Sequence, residues 1–130
     1  MHVRHHRRLW AAGLGMAALL AGTSTPASAS DATVSLYHNG ELKARGTYDD
    51  LTDNLCVKVF NGGQNFLADV GIGPVNGDGP SFTWGAFGGD GWQCTGNLSI
   101  PEDRRYDIQV RWHSNPGNFW KYSGKVEFYT

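Results

Sequence analysis

The sequence predicts an all-β fold: an antiparallel sandwich of two sheets, built from about eight short strands and closed by one disulfide. Three observations carry this expectation. No stretch from Ala32 to Thr130 keeps a helical apolar period for three turns. Apolar and polar residues instead alternate with period two between glycine-rich breaks, as strands with one buried face do. The only two cysteines, Cys56 and Cys94, follow an export leader, so they mature where paired thiols oxidise.

The leader is read from residues 1–29. Arg4, Arg7 and Arg8 precede the apolar run from Leu9 to Gly22, and Ala27-Ser28-Ala29 supplies the small residues that signal peptidase accepts. The apolar run is shorter than the roughly 20 residues a membrane span needs. Cleavage after Ala29 leaves Ser30 first, and residues 30–130 are expected to be one secreted domain. No cysteine directly follows the apolar run to take a lipid, and no second apolar segment follows to hold the product in a membrane.

The strands follow in order. Val34 and Leu36, then Leu42, Ala44 and Tyr48, flank Asn39-Gly40, a pair that accepts the positive φ of a two-residue hairpin turn; Ala32 to Tyr48 is read as that hairpin. Leu55, Val57 and Val59 share one parity, which turns Cys56 to the opposite face. Cys94 instead has the apolar parity of its own run, Trp92, Cys94, Leu98 and Ile100. The bridge therefore needs a bulge at Cys56 or a crossing at the end of a sheet. Phe66, Ala68, Val70 and Ile72 form another run, and Phe82, Trp84 and Ala86 the next. The clearest is Arg105 to His113, with Tyr106, Ile108, Val110 and Trp112 against Asp107, Gln109, Arg111 and His113. Trp120, Tyr122, Val126 and Phe128 alternate with Lys121, Ser123, Lys125 and Glu127 to end the chain. Turns are marked by Asn61-Gly62-Gly63, Asn76-Gly77-Asp78-Gly79-Pro80, Gly88-Gly89-Asp90-Gly91 and Asn115-Pro116-Gly117-Asn118.

Without the leader, eight Lys and Arg face twelve Asp and Glu, a net charge of −4. That balance argues against nucleic acid and anionic membranes, which both require a basic surface. Only His38 and His113 remain for acid–base work. No G-x-S-x-G elbow and no H-E-x-x-H is present, and no cofactor is expected. A hydrolase would have to use His113 or His38 with a carboxylate such as Asp107 or Glu127. Asp49, Asp50 and Asp53, close to Asn54, are the better-placed group of hard oxygens for a Ca²⁺, ahead of Asn76, Asp78 and Asp90 on glycine loops; otherwise they cap a turn. Asn97-Leu98-Ser99 is a formal glycosylation triplet within a strand.

Aromatic residues are the least ordinary feature. Trp84, Trp92, Trp112 and Trp120 have the buried parity and are expected in the core. Tyr37, Phe60, Phe87, Phe119 and Tyr129 have the wet parity, and Tyr37, Phe87 and Phe119 are taken as candidate platforms for a sugar ring or a protein partner.

The Arg-rich leader, the Ala27-Ser28-Ala29 cut, Leu55-Cys56-Val57-Lys58-Val59, and the step Asn97-Leu98-Ser99-Ile100-Pro101-Glu102 into a long alternating strand together resemble small secreted actinobacterial β-sandwich proteins of unassigned function. The resemblance is one of layout and implies no catalytic residue. The Trp-Arg-Tyr triplet of secreted α-amylase inhibitors from such organisms is absent, as are two of their four cysteines. The expected function is a monomeric, non-catalytic binding module for a protein or a glycan. The alternatives are an inhibitor or toxin-like protein, and the small hydrolase above.

Overall fold

The computed structural model describes residues 29–130; the proposed leader lies almost wholly outside them. Among the described residues there is no helix, and nine strands form two antiparallel sheets. Sheet A has the order β1 (Ala32–His38), β2 (Glu41–Asp49), β3 (Asn54–Val59), β6 (Gln93–Asn97). Sheet B has the order β5 (Phe82–Phe87), β4 (Phe66–Pro74), β7 (Arg105–Ser114), and β7 pairs on its far side with both β8 (Phe119–Tyr122) and β9 (Val126–Tyr129).

The β1–β2 hairpin turns where Asn39-Gly40 predicts, with φ of 51° and 78°. The buried face of each strand in the first half follows its apolar parity: Val34 and Leu36, Ala44 and Tyr48, Leu55 to Val59, then Ala68, Val70 and Ile72. Strand β7 alternates strictly over ten residues and buries Tyr106, Ile108, Val110 and Trp112 against them. The sheets approach closely at Gly46, which lies on the inner face of β2. A Cβ there would stand 2.4 Å from Val70 Cγ2, so only glycine admits the side chain arriving from sheet B. At one end of the core Tyr48 donates to Asp53 Oδ1 at 2.6 Å, and Tyr106 donates to the Pro80 carbonyl at 3.1 Å. Burial first, and the Asp53 carboxylate second, push the Tyr48 phenol far above its ordinary pKa.

Three expectations are corrected. The final alternating run is broken at 123–125 into β8 and β9, and the break inverts the parity of its first half: Trp120 and Tyr122 face solvent while Val126 and Phe128 keep the inner side. Trp84 and Trp92 are each 43% exposed, which leaves Trp112, at 2%, as the one buried tryptophan among the described residues. Cys94 does not share the buried face of Leu98 and Ile100. Gly96, at φ 79°, and a register irregularity opposite Asn54–Cys56 separate the two halves of that run, so Trp92 and Cys94 turn outward.

The Cys56–Cys94 bridge forms on the outer surface of sheet A, between directly opposed residues of β3 and β6 whose Cα atoms are 4.1 Å apart. That is the close spacing of an antiparallel pair without mutual hydrogen bonds. It ties the point where the chain leaves sheet A for β4–β5 to the point where it returns. Such a bridge fits an oxidising compartment. Among the described residues no helix is long and apolar enough to cross a membrane.

Two outcomes are expected. Closing a loop over a separation of 38 residues contributes about 3 to 4 kcal/mol. Thiol titration of the unfolded, unreduced protein should find no sulfhydryl, and reduction should lower the thermal midpoint by more than about 10 °C. Gly46→Ala should cost about 1 to 3 kcal/mol by overpacking, and adding Val70→Ala should recover part of that loss in a double-mutant cycle of denaturant unfolding.

Candidate functional site

The outward face of sheet B is the most developed surface of the domain. Its register sets side chains in four rows across the strands, about 4.8 Å apart along each row. The first row is Phe87, Leu67, His113, Trp120; the second is Gly85, Asp69, Arg111, Tyr122. The third is Thr83, Gly71, Gln109, and the fourth Gly73, Asp107, Glu127. Gly71 and Gly73 put bare backbone on this surface and line an open trough of about 330 Å³ bordered by Asp69, Gln109, Arg111 and Tyr122. Gly85 leaves room for the carboxylate beside it: a Cβ there would lie 2.7 Å from Asp69 Oδ1 and would displace that side chain. Gly71 is not so constrained: a Cβ would meet nothing nearer than 3.7 Å.

The polar groups are fixed in place. Arg111 donates from Nε to Asp69 Oδ2 at 2.9 Å, and its terminal nitrogen lies 2.7 Å from the same oxygen. Both contacts use Oδ2, which leaves Asp69 Oδ1 as an acceptor. The guanidinium also lies over the Trp120 ring, 4.5 Å from its centroid. The hydrogen bond to Asp69 is the main reason that Arg111 holds its proton more firmly than a free guanidinium. Gln109 donates its amide to the Ser123 carbonyl at 2.8 Å. Trp120 is 40% and Tyr122 56% exposed, and the His113 ring packs at a tilt against Trp120, with centroids 4.5 Å apart. Rigid, planar polar groups thus stand beside aromatic rings that remain partly exposed. This arrangement suits a ligand with hydroxyls on its edge and C–H groups on its face.

The three aromatics proposed from sequence fall on three surfaces. Phe87 lies at the corner of the sheet B face. Tyr37 is exposed on sheet A. Phe119 turns to the inner side and packs edge-on against Trp112 at 5.8 Å and beside His38 at 5.3 Å. The side chains that line the trough, Asp69, Gln109, Arg111 and Tyr122, with neighbouring Trp120, were not among them. The signal that could have found them is Gly71-x-Gly73 on the wet parity of an otherwise apolar strand, since glycine inside a strand marks a close approach.

Neither histidine meets the carboxylate proposed for it. Asp107 is six residues from His113 along one strand, roughly 20 Å at 3.3 Å per residue, and Glu127 stands opposite Asp107. Glu127 pairs with Arg105 at 2.6 Å, and Asp107 lies 3.8 Å from Lys125. His38 packs at a tilt against Trp112, with Nδ1 3.4 Å from Lys121 Nζ. At the β2–β3 turn, Asp49 Oδ1 accepts from the Thr52 amide, Asp53 Oδ1 from Tyr48, and the Asp50 amide donates to Asp31 Oδ1. Among the described residues no group of three or more His, Cys, Asp or Glu side chains is arranged to hold a metal ion.

No protein family, curated protein or solved structure matches the chain.

Asp50 yields a pH prediction. Partial burial first, then the charges of Asp53, Asp31 and Asp49, raise its carboxyl above the ordinary aspartate value. A carboxyl with a raised folded pKa favours the folded state while protonated, and that contribution is lost as the pH rises through the interval between its unfolded and folded values. Asp50→Asn should therefore raise the thermal midpoint at pH 7 relative to the wild type, and the difference should vanish near pH 3.

Proposed function

We propose that the protein is a secreted, non-catalytic binding module that holds a glycan across the outer face of sheet B. Secretion rests on the leader at residues 1–29 and on the disulfide. The observation that carries the ligand class is the Trp120–Arg111–Asp69 array beside a glycine floor. A pyranose offers an apolar C–H face to a ring such as Trp120 or Tyr122, and neighbouring hydroxyls that a fixed carboxylate and guanidinium can bind in pairs. The Arg111–Asp69 pair is internally neutral, which favours an uncharged sugar. The trough is too open to enclose a compact apolar ligand, whereas an extended chain could lie along it.

A protein ligand is the second reading, favoured by strand β5. It is an edge strand without a charged residue, with Trp84 and Phe87 exposed, and could be extended by a strand from a partner.

Retention of the purified protein on cellulose, xylan, chitin and peptidoglycan distinguishes the two. Binding to at least one is expected. Trp120→Ala should weaken it about tenfold or more, and Gly71→Val should do so by filling the floor, both with the fold kept by circular dichroism. Phe119→Leu should bind as the wild type does. If no polysaccharide retains the protein, or if Trp120→Ala binds unchanged, the glycan reading fails.

A further inference from the structure

The outer face of sheet A carries a different chemistry. Arg45 of β2 and Lys58 of β3 are directly opposed in the antiparallel ladder, with Ser35 of β1 completing the row. Like charges directly opposite on neighbouring strands repel and weaken a sheet. The domain has carboxylates to spare, twelve against eight cations in residues 30–130, yet among the described residues neither cation is in an ion pair. The four pairs among the described residues use Lys43, Arg105, Arg111 and Lys125 instead.

What holds the two cations is a neutral support. Arg45 donates from Nε to Ser35 Oγ at 3.0 Å, which fixes the guanidinium and leaves its terminal nitrogens unused by that bond. The Phe60 ring lies 5.7 Å from the Arg45 guanidinium and 4.8 Å from Lys58 Nζ, and Trp92 meets Phe60 edge-on at 6.2 Å. The ring faces draw both charges towards one place. Opposed residues have Cβ atoms about 5 Å apart, so an anion between the heads could accept a charge-assisted hydrogen bond from each.

We propose that Arg45 and Lys58, seated on Phe60, form a binding site for a tetrahedral oxyanion, phosphate or sulfate, free or as an ester on a larger ligand. The site is on the opposite sheet from the glycan face and does not depend on that reading. A bound dianion removes the repulsion between the cations, and the partial burial of both side chains raises the worth of the pairing above that of fully exposed charges.

The test is amide chemical-shift titration of the purified protein with sodium phosphate, sodium sulfate and, at matched ionic strength, sodium chloride. A saturable response to phosphate or sulfate, centred on β2 and β3, is expected, with none to chloride. The two oxyanions, compared as inorganic salts and as methyl esters, distinguish the source of the group. Arg45→Gln and Lys58→Gln should each weaken binding about tenfold or more, while Arg104→Gln, an exposed cation in the loop before β7, should leave it unchanged. Without anion, Lys58→Gln should melt within about 5 °C of the wild type, so loss of binding is not loss of fold. A response that follows ionic strength alone, fails to saturate or survives Lys58→Gln overturns the proposal.

Discussion

Strand β7 is the constraint on which the rest of the structure depends. Its ten residues alternate without interruption, and its two faces do different work. Inward, Tyr106, Ile108, Val110 and Trp112 occupy the middle of the core and meet residues from both sheets. Outward, Asp107, Gln109, Arg111 and His113 supply one residue to each row of the candidate binding face. A slip of one residue in its pairing with β4 would expose the core set and bury Arg111 and Asp107. The transfer penalty for those charges makes such a slip prohibitive, so the hydrophobic demand on one face fixes the geometry of the polar face.

The two sheets use charge in opposite ways. On sheet B, Arg111 and Arg105 each have a carboxylate across the strand within 2.7 Å, so this surface offers directed hydrogen-bonding groups with little local charge. On sheet A, Arg45 and Lys58 rest on an aromatic ring and keep their charge. The acidic residues Asp31, Asp49, Asp50 and Asp53 gather instead around the β2–β3 turn, where hydrogen bonds of the turn occupy three of the four carboxylates. A domain with an acidic total can thus still present a basic surface, because the acidic turn lies at the end of β2 and β3, four or five residues along each strand from Arg45 and Lys58.

The disulfide and the small residues have complementary tasks. Glycine at 46 lets the sheets approach closely, glycines at 71 and 73 line the open trough, and glycine at 85 leaves room for the Asp69 carboxylate. Each removes side-chain contact that a strand would otherwise use, and glycine also weakens strands through its conformational freedom. The bridge between Cys56 and Cys94 offsets part of that loss by restricting the unfolded chain, without occupying any volume in the core.

Fold class was legible in the sequence alone, because alternation over β1 to β5 and β7 needs only a buried face and a wet one, and both are written in residue type. The Asn39-Gly40 turn and the pairing of the only two cysteines were legible for similarly local reasons. Parity failed where the chain resets it. At Gly96 and at 123–125 a local irregularity exchanges the faces, and it moved Trp92, Trp120 and Tyr122 from the expected core to the surface. The candidate site was not legible, because its rows join residues that are distant in sequence, such as Asp69 and Arg111 of β4 and β7, or Arg45 and Lys58 of β2 and β3. Which residue stands opposite which is decided by strand register and sheet order. Those depend on the packing of the whole core, and only the tertiary structure determines them.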